Sequence, residues 1–211
     1  MVTRRPTVHL VDDDDDIREA VSLLLITEGI TVRAYEDAAG LLQGVTPDDS
    51  GCLVLDVRLP DMDGLTLQTT LHERGVRMPV VFITGHGDIP MAVKAVNEGA
   101  LDFLEKPFDD EALLSAVGQG LELDAAQRED QGRRGEIEAR LTQLTPRERQ
   151  VLDGLLDGEP NKLIARDLDV SVRTVEIHRG NLMQKMQARS ASHLARLALA
   201  CRAYRDRPPL E

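Results

Sequence analysis

At 211 residues with a net charge of −12, the chain has room for one or two domains of ordinary size. No apolar run approaches the roughly 20 residues that span a bilayer, and the start of the chain carries no secretory apolar stretch. Two cysteines, Cys52 and Cys201, give neither a disulfide framework nor a metal-ligand spacing, which favours a cytoplasmic protein with no membrane attachment.

The first element is the apolar run Thr7 to Val11, which reads as a buried strand and ends in five consecutive aspartates, Asp12 to Asp16. Ile17, Ala20, Val21, Leu24 and Leu25 then follow helical spacing, so the acidic run lies on a strand-to-helix turn. Asp14 to Asp16 suit a helix cap; Asp12 and Asp13 are answered by three later residues. Asp56 ends the run Cys52 to Leu55 and leads into a Pro/Gly/Asp loop, Val57 to Gly64. Thr84 ends Val80 to Ile83, and Lys106 follows Leu101 to Glu105 and precedes Pro107. Helix-like segments separate these strands, so a doubly wound parallel sheet brings their C-terminal ends to one rim, where ligands bind in open α/β sheets. That rim collects three carboxylates, a hydroxyl and an ammonium. The set suits phosphoryl transfer to a carboxylate: Asp12, Asp13 and Asp56 for a hard divalent ion, Asp56 as nucleophile, Lys106 and Thr84 on the phosphoryl oxygens.

Charge and composition change along the chain. Residues 1–123 carry 9 Lys and Arg against 23 Asp and Glu, a net −14, whereas residues 141–205 carry 11 against 7, a net +4. The acidity belongs to the first part, and the second can meet a polyanion. Asp124 to Arg140 is polar, without aromatics, with glycines at Gly132 and Gly135; it reads as a linker, partly helical and continuous with the last helix of the first part, jointed at those glycines. The expected domains are 1–123, the linker 124–140, and 141–211.

The last part is helical throughout. Thr145, Pro146 and Glu148 form a helix start, with Thr as N-cap, Pro at N1 and Glu at N3. Asn161 caps a short helix carrying Leu163, Ile164, Ala165 and Leu168; after a turn at Asp169 to Ser171 a longer helix carries Val172, Val175, Leu182, Met183 and Met186; Ser190 caps the last. Two helices joined by a short turn make a helix-turn-helix. The polar face of the longer helix carries Arg173, Thr174, Glu176, Ile177, Arg179, Gly180, Asn181 and Lys185, residue types that suit base edges and phosphates. The five histidines are scattered, with no ligand spacing.

The phrases VDDDDDIREAV, DVRLPDMDG, VVFITGHGDIPMAVKAV and GALDFLEKPF resemble the receiver domain of two-component response regulators of the NarL/FixJ family, over about Thr7 to Leu123. The stretch LTPRERQVLDGLLDGEPNKLIARDLDVSVRTVEIHRGNLMQKM is similar to the four-helix, LuxR-type DNA-binding domain. The resemblance implies a five-stranded, flavodoxin-like receiver followed by an all-α helix-turn-helix domain. It implies Asp56 as phosphoacceptor, with Asp13, Asp56 and the main-chain carbonyl of Arg58 as direct ligands of Mg²⁺ or Mn²⁺, and Asp12 acting mostly through metal-bound water. Thr84 and Phe103 would form the switch pair, and the Lys106–Pro107 bond would be cis. In the second domain Ser171 to Met186 would be the recognition helix. Glu176, Ile177 and Gly180 would stand at base-reading positions beside Arg179 and Asn181, with Asn161, Lys162, Thr174 and Lys185 on the DNA backbone. Gly180 departs from relatives that read bases there, since it has no side chain. The implied partners are a sensor histidine kinase, double-stranded operator DNA and a second copy of the chain, paired on phosphorylation through the segment from about Asp88 to Asn97 and the fifth strand.

Two other readings compete. Asp12 and Asp14 have the spacing of the nucleophile and acid/base in haloacid-dehalogenase-type phosphohydrolases, but that leaves Asp56 and the helical domain without a role. The alternative within the same fold is a phosphate-independent dimeric transcription factor.

Overall fold

The computed structural model describes residues 6–85, 95 and 99–201. It divides into two compact units, residues 1–128 and 129–211. The first unit is built on strands β1 (Thr7–Val11), β2 (Thr31–Tyr35), β3 (Gly51–Asp56), β4 (Val80–Thr84) and β5 (Asp102–Glu105). Between them run α1 (Asp15–Thr27), α2 (Ala38–Gly44) and α3 (Gly64–Glu73), and α4 (Asp110–Thr142) follows β5. The strands form one parallel sheet in the order β2-β1-β3-β4-β5.

Alternation of side chains sends neighbouring strand residues to opposite faces. Val11, Leu53, Leu55, Val80 and Phe82 pack on one face against Leu41 of α2 and Leu67 and Leu71 of α3. Val8, Leu10, Cys52, Val54, Val81 and Ile83 pack on the other against Val21 and Leu25 of α1 and Leu113 and Val117 of α4. Helices therefore cover both faces, which is why β1, β3 and β4 read as continuous apolar runs. The edge strand β2 is largely exposed, with Arg33 in its middle, and carries no comparable signature.

Two glycines allow helices to pack close against the sheet. A Cβ on Gly64 would lie 2.5 Å from the carbonyl oxygen of Asp56, and one on Gly120 would lie 2.5 Å from Cys52 Sγ. Gly64 thus lets α3 begin directly beneath the end of β3.

The second unit comprises α5 (Pro146–Leu156), α6 (Asn161–Asp167), α7 (Val172–Lys185) and α8 (Ala191–Ala200) with the C-terminal part of α4. Val151, Leu152, Ile164, Val175, Leu182, Met186, Leu194 and Ala198 form its core, joined by Ile137 and Leu141 from α4. The capping box at Thr145 and Glu148 forms as expected, and Ser190 accepts from the His193 amide. Asn161 differs from expectation. The cap position is Pro160, and the Asn161 side-chain oxygen is taken by Arg179 instead. Helix α4 is also continuous through the segment expected to be only partly helical. Cβ atoms on Gly132 and Gly135 would meet none of the described residues, and the pairs Arg133–Glu129 and Arg140–Glu136 sit at the i, i+4 spacing that supports an exposed helix.

Candidate functional site

The parallel register brings Asp12, Asp56, Thr84 and Lys106 to the C-terminal rim of the sheet. Asp12 follows β1 and is fully buried, Asp56 ends β3 at 6 % exposure, and Thr84 ends β4 at 1 %. Lys106 reaches across from the far side of β5: its Nζ donates to Asp12 Oδ2 and to Asp56 Oδ2, both at 2.6 Å. Its peptide is anchored by a hydrogen bond from the Lys106 amide to the Thr84 carbonyl, and the Lys106–Pro107 bond is cis. The remaining carboxylate oxygens are also held. Asp12 Oδ1 accepts from the Asp14 amide at 3.0 Å, and Asp56 Oδ1 from the Arg58 amide at 2.8 Å. Phe103 is half-buried against the α2/α3 face, and its strand partner is Phe82. Because Thr84 pairs with Glu105, Thr84 and Phe103 lie on the same face, two residues apart in register.

Burial shapes the charges. It raises the Asp12 carboxyl above its ordinary value, against the pull of Lys106. Burial alone would lower the Lys106 ammonium, but hydrogen bonds to Asp12 and Asp56 outweigh it and hold the group above its usual value. One ammonium faces three carboxylates, and carboxylate oxygens of Asp12, Asp13 and Asp56 come within 4.8 Å of one another, with Asp13 exposed at the mouth. An all-oxygen donor set with surplus negative charge and one side open to water fits a hard divalent cation, the kind of ion a receiver's aspartate cluster binds.

Asp14 does not join this group. It is the N-cap of α1, accepting from the amides of Asp16 and Ile17, so its carboxylate serves the helix and not the rim. Two residues that sequence reasoning passed over, Arg18 and Asp61, support the rim, as does the amide of Arg58, of which only the carbonyl was expected there. Arg18 donates to the Asp12 carbonyl at 2.6 Å and pairs with Asp15. The Arg58 amide holds Asp56, and Asp61 ties the following loop to α2. Arg18 lies six residues beyond Asp12 on the next helix and could have been found by turning the helix; the partners of Asp61 are 22 and 23 residues away, and no local pattern announces them. Beside Lys106 a cavity of about 270 Å³ opens between α1 and the start of α4, lined by Ile17, Ala20, Leu24, Pro107 and Phe108 among others.

In the second unit α6, a turn through Asp169 (φ 53°) and α7 form the helix-turn-helix. Ser171 caps α7, accepting from the Thr174 amide, and its hydroxyl also pairs with Thr174 Oγ1. Val175, Leu182 and Met186 bury one side of α7. Arg173, Glu176, Ile177, Gly180 and Asn181 are exposed, as is Lys162 on α6, and Ile177 keeps 57 % of its surface in water. Arg179 is half-buried and donates to Asn161 Oδ1 at 3.1 Å. Lys185, expected at a phosphate, donates instead to buried Glu148 at 2.7 Å and to the Gln143 carbonyl at 3.2 Å. No described helix is long and apolar enough to cross a membrane.

Comparison with known proteins matches the same two parts. Residues 8–118 match the family described as response regulator receiver domain, and residues 142–198 that described as bacterial regulatory proteins, luxR family. The chain is similar to the transcriptional regulatory protein FixJ of Azorhizobium caulinodans, 48 % identical over 192 residues that cover 91 % of each protein. It is similar in structure to the response regulator StyR, at a TM-score of 0.84 and 44 % identity over 92 % of this chain and 98 % of that one. It is also similar to full-length FixJ from B. japonicum, at 0.57 and 40 % over 94 % and 98 %. With a receiver whose rim gathers these acidic groups and a LuxR-type helix-turn-helix after it in sequence, the chain belongs to the FixJ-like response regulators, two-component proteins that regulate transcription.

Proposed function

We propose that a sensor histidine kinase transfers a phosphoryl group to Asp56, and that the modified cytoplasmic protein pairs with a second copy and binds operator DNA. The observation that carries this reading is the Lys106 ammonium bridging Asp12 and Asp56 at 2.6 Å beside the open carboxylate of Asp13. An Asp56 oxygen forms the new P–O bond as the P–N bond to the kinase histidine breaks, and the electron pair leaves with the histidine nitrogen. Lys106 neutralises charge on the phosphoryl oxygens and Thr84 donates a hydrogen bond to one of them. Mg²⁺ or Mn²⁺, held by Asp13, Asp56 and the Arg58 carbonyl with Asp12 acting through water, would supply further charge neutralisation. Movement of Thr84 toward the phosphoryl group draws Phe103 with it, altering the surface near β5. The neighbouring surface proposed for pairing, about 88 to 97, falls outside the described residues apart from Ala95. The same pocket returns the protein to its resting state by autodephosphorylation, water attacking the acyl phosphate.

Pairing presents two copies of α7 to half-sites about one helical turn apart. Glu176, Ile177 and Gly180, with Arg179 and Asn181, face the bases; Arg173, Ser171, Thr174, Asn161 and Lys162 face the backbone.

Incubation with acetyl phosphate and Mg²⁺ is expected to add one phosphoryl group by intact mass, to shift the protein from monomer to dimer and to tighten operator binding. Asp56→Asn should lose all three. Full labelling of that variant would move the nucleophile elsewhere. Dimerisation and operator binding that ignore phosphorylation would instead favour the phosphate-independent dimer.

A further inference from the structure

The geometry points to Asp61 as a positioning residue for the Asp56 pocket: it fastens the loop that carries Arg58 to the first turn of α2. This inference rests on the reading of the rim given above. The loop from Val57 to Gly64 is closed on itself by a bridge between Arg58 and Asp63 and by a hydrogen bond from the Gly64 amide to the Val57 carbonyl. Those bonds fix its internal shape but not its placement over the rim. Leu59 and Met62 seat it on the core of the α2/α3 face, and a polar tether to another element adds to that placement. Asp61 Oδ1 accepts from the Ala38 amide at 3.2 Å and Oδ2 from the Ala39 amide at 3.0 Å, one carboxylate spanning two amides of another element.

Helix α2 has little need of this carboxylate for its own cap. Its N-cap is Asp37, whose Oδ1 accepts from the Gly40 amide at 2.7 Å. Asp61 takes the two amides that Asp37 leaves free, and a carboxylate is the favoured partner for such donors. The result is a tether between α2 and the loop. At the other end of that loop the Arg58 amide holds Asp56 Oδ1 at 2.8 Å, so a shift of the loop moves the donor on the reacting carboxylate, and with it the neighbouring Arg58 carbonyl. Groups that orient a metal's ligands without touching the ion commonly change its affinity on replacement.

Asp61 and Asp37 separate the tether from the stability of α2. Calorimetric titration of the full chain with Mg²⁺ is expected to show affinity reduced by about tenfold in Asp61→Ala. The Mg²⁺ concentration for half-maximal labelling by acetyl phosphate should rise in parallel. Asp61→Asn, which keeps one side-chain carbonyl, should recover part of both. Asp37→Ala should lower the melting temperature at least as much as Asp61→Ala while leaving Mg²⁺ affinity unchanged. Equal losses of affinity in Asp37→Ala and Asp61→Ala would overturn the tether, since helix stability alone would then explain them. Unchanged affinity in folded Asp61→Ala and Asp61→Asn would overturn it as well. Asp13→Ala guards the underlying reading: should Mg²⁺ binding survive that change, the ion lies elsewhere and the pocket itself is misassigned.

Discussion

At the sheet rim Asp12, Asp56 and Lys106 hold one another at 2.6 Å, are sheltered from water, and take further support from the amides of Asp14 and Arg58. On α7, Arg173, Glu176, Ile177 and Asn181 stand in solvent and are fixed only through the buried side of the helix. The charged groups of the rim already hold one another before any partner arrives, so its chemistry can be argued from its own geometry. The α7 face acquires meaning only against a duplex, and its side chains gain their contacts on binding. Preorganised charge serves reaction and exposed charge serves recognition. The two halves of this chain show the difference within one molecule.

Acid should distinguish the two units by the largest margin. Burial lowers the His9 imidazole from 6.5 to about 4, with Asp49 opposing the shift and Arg33 adding to it. His9 stacks on Tyr35 and shares a 3.1 Å hydrogen bond with its hydroxyl, while its Nε2 is buried with no hydrogen-bond partner among the described residues. Between those two values the unfolded chain binds a proton that the folded one refuses. Stability is therefore full above about pH 6.5 and declines toward pH 4, by no more than about 3–4 kcal/mol. Asp12 works the other way, since burial raises its carboxyl and makes protonation easier in the folded state. In the second unit Glu148 is held below its ordinary value. Burial pushes it up, but Lys185 and the Thr145 amide prevail, so its contribution persists above about pH 4.5 and fades only below. Hydrogen exchange from pH 7 to 5 should show the receiver loosening while the effector does not. The receiver's pH slope should flatten in His9→Gln; a slope that survives this change would place the titrating group elsewhere.

A second contrast lies within the effector. Glu148 is 3 % exposed, and its Oε2 receives both Lys185 Nζ and the Thr145 amide. Removing the lysine leaves a buried carboxylate without its cation. Lys185→Ala is expected to destabilise this unit by about 1–3 kcal/mol and to leave the salt dependence of DNA binding unchanged. A salt slope smaller by about one with no loss of stability would return Lys185 to the phosphates.

These contacts show what the sequence made legible. Strands buried on both faces write themselves as apolar runs, and Asp12, Asp56 and Thr84 each stand where such a run stops, while Lys106 follows the short edge strand β5, whose Asp102 and Glu105 are exposed. The rim followed from pattern alone. Edge strand β2 did not, because half its residues face water. Long-range partners were equally hidden: Lys185 meets Glu148 across 37 positions, and Asp61 meets Ala39 across 22. The α7 face was legible only through its family resemblance, because a row of solvated polar residues is compatible with many helices.

Arg179 tests the exposed face more locally. One of its guanidinium nitrogens is engaged by Asn161, which restrains the side chain while leaving other donors for a base edge. Arg179→Ala should reduce discrimination at one operator position by about 1–3 kcal/mol, as read by competition among single-base variants. A uniform loss across all sequences would make Arg179 a backbone contact.

Gly180 offers the smallest effect. A glycine in mid-helix is less stable than alanine by roughly 0.5–1 kcal/mol, and none of the described residues occupies the space a Cβ would take there. Within the free protein, then, the glycine brings no packing benefit, and Gly180→Ala is expected to raise the thermal stability of the effector. Ile177 and Asn181 flank it on the same exposed stretch of α7. If the duplex approaches the backbone there, a methyl group intrudes between helix and DNA. Operator affinity should therefore fall while stability rises, two measurements moving in opposite directions on one substitution. Affinity that holds or improves in the stabilised variant would remove Gly180 from the interface, and it would shift base reading toward Glu176 and Ile177, one turn earlier on the same helix.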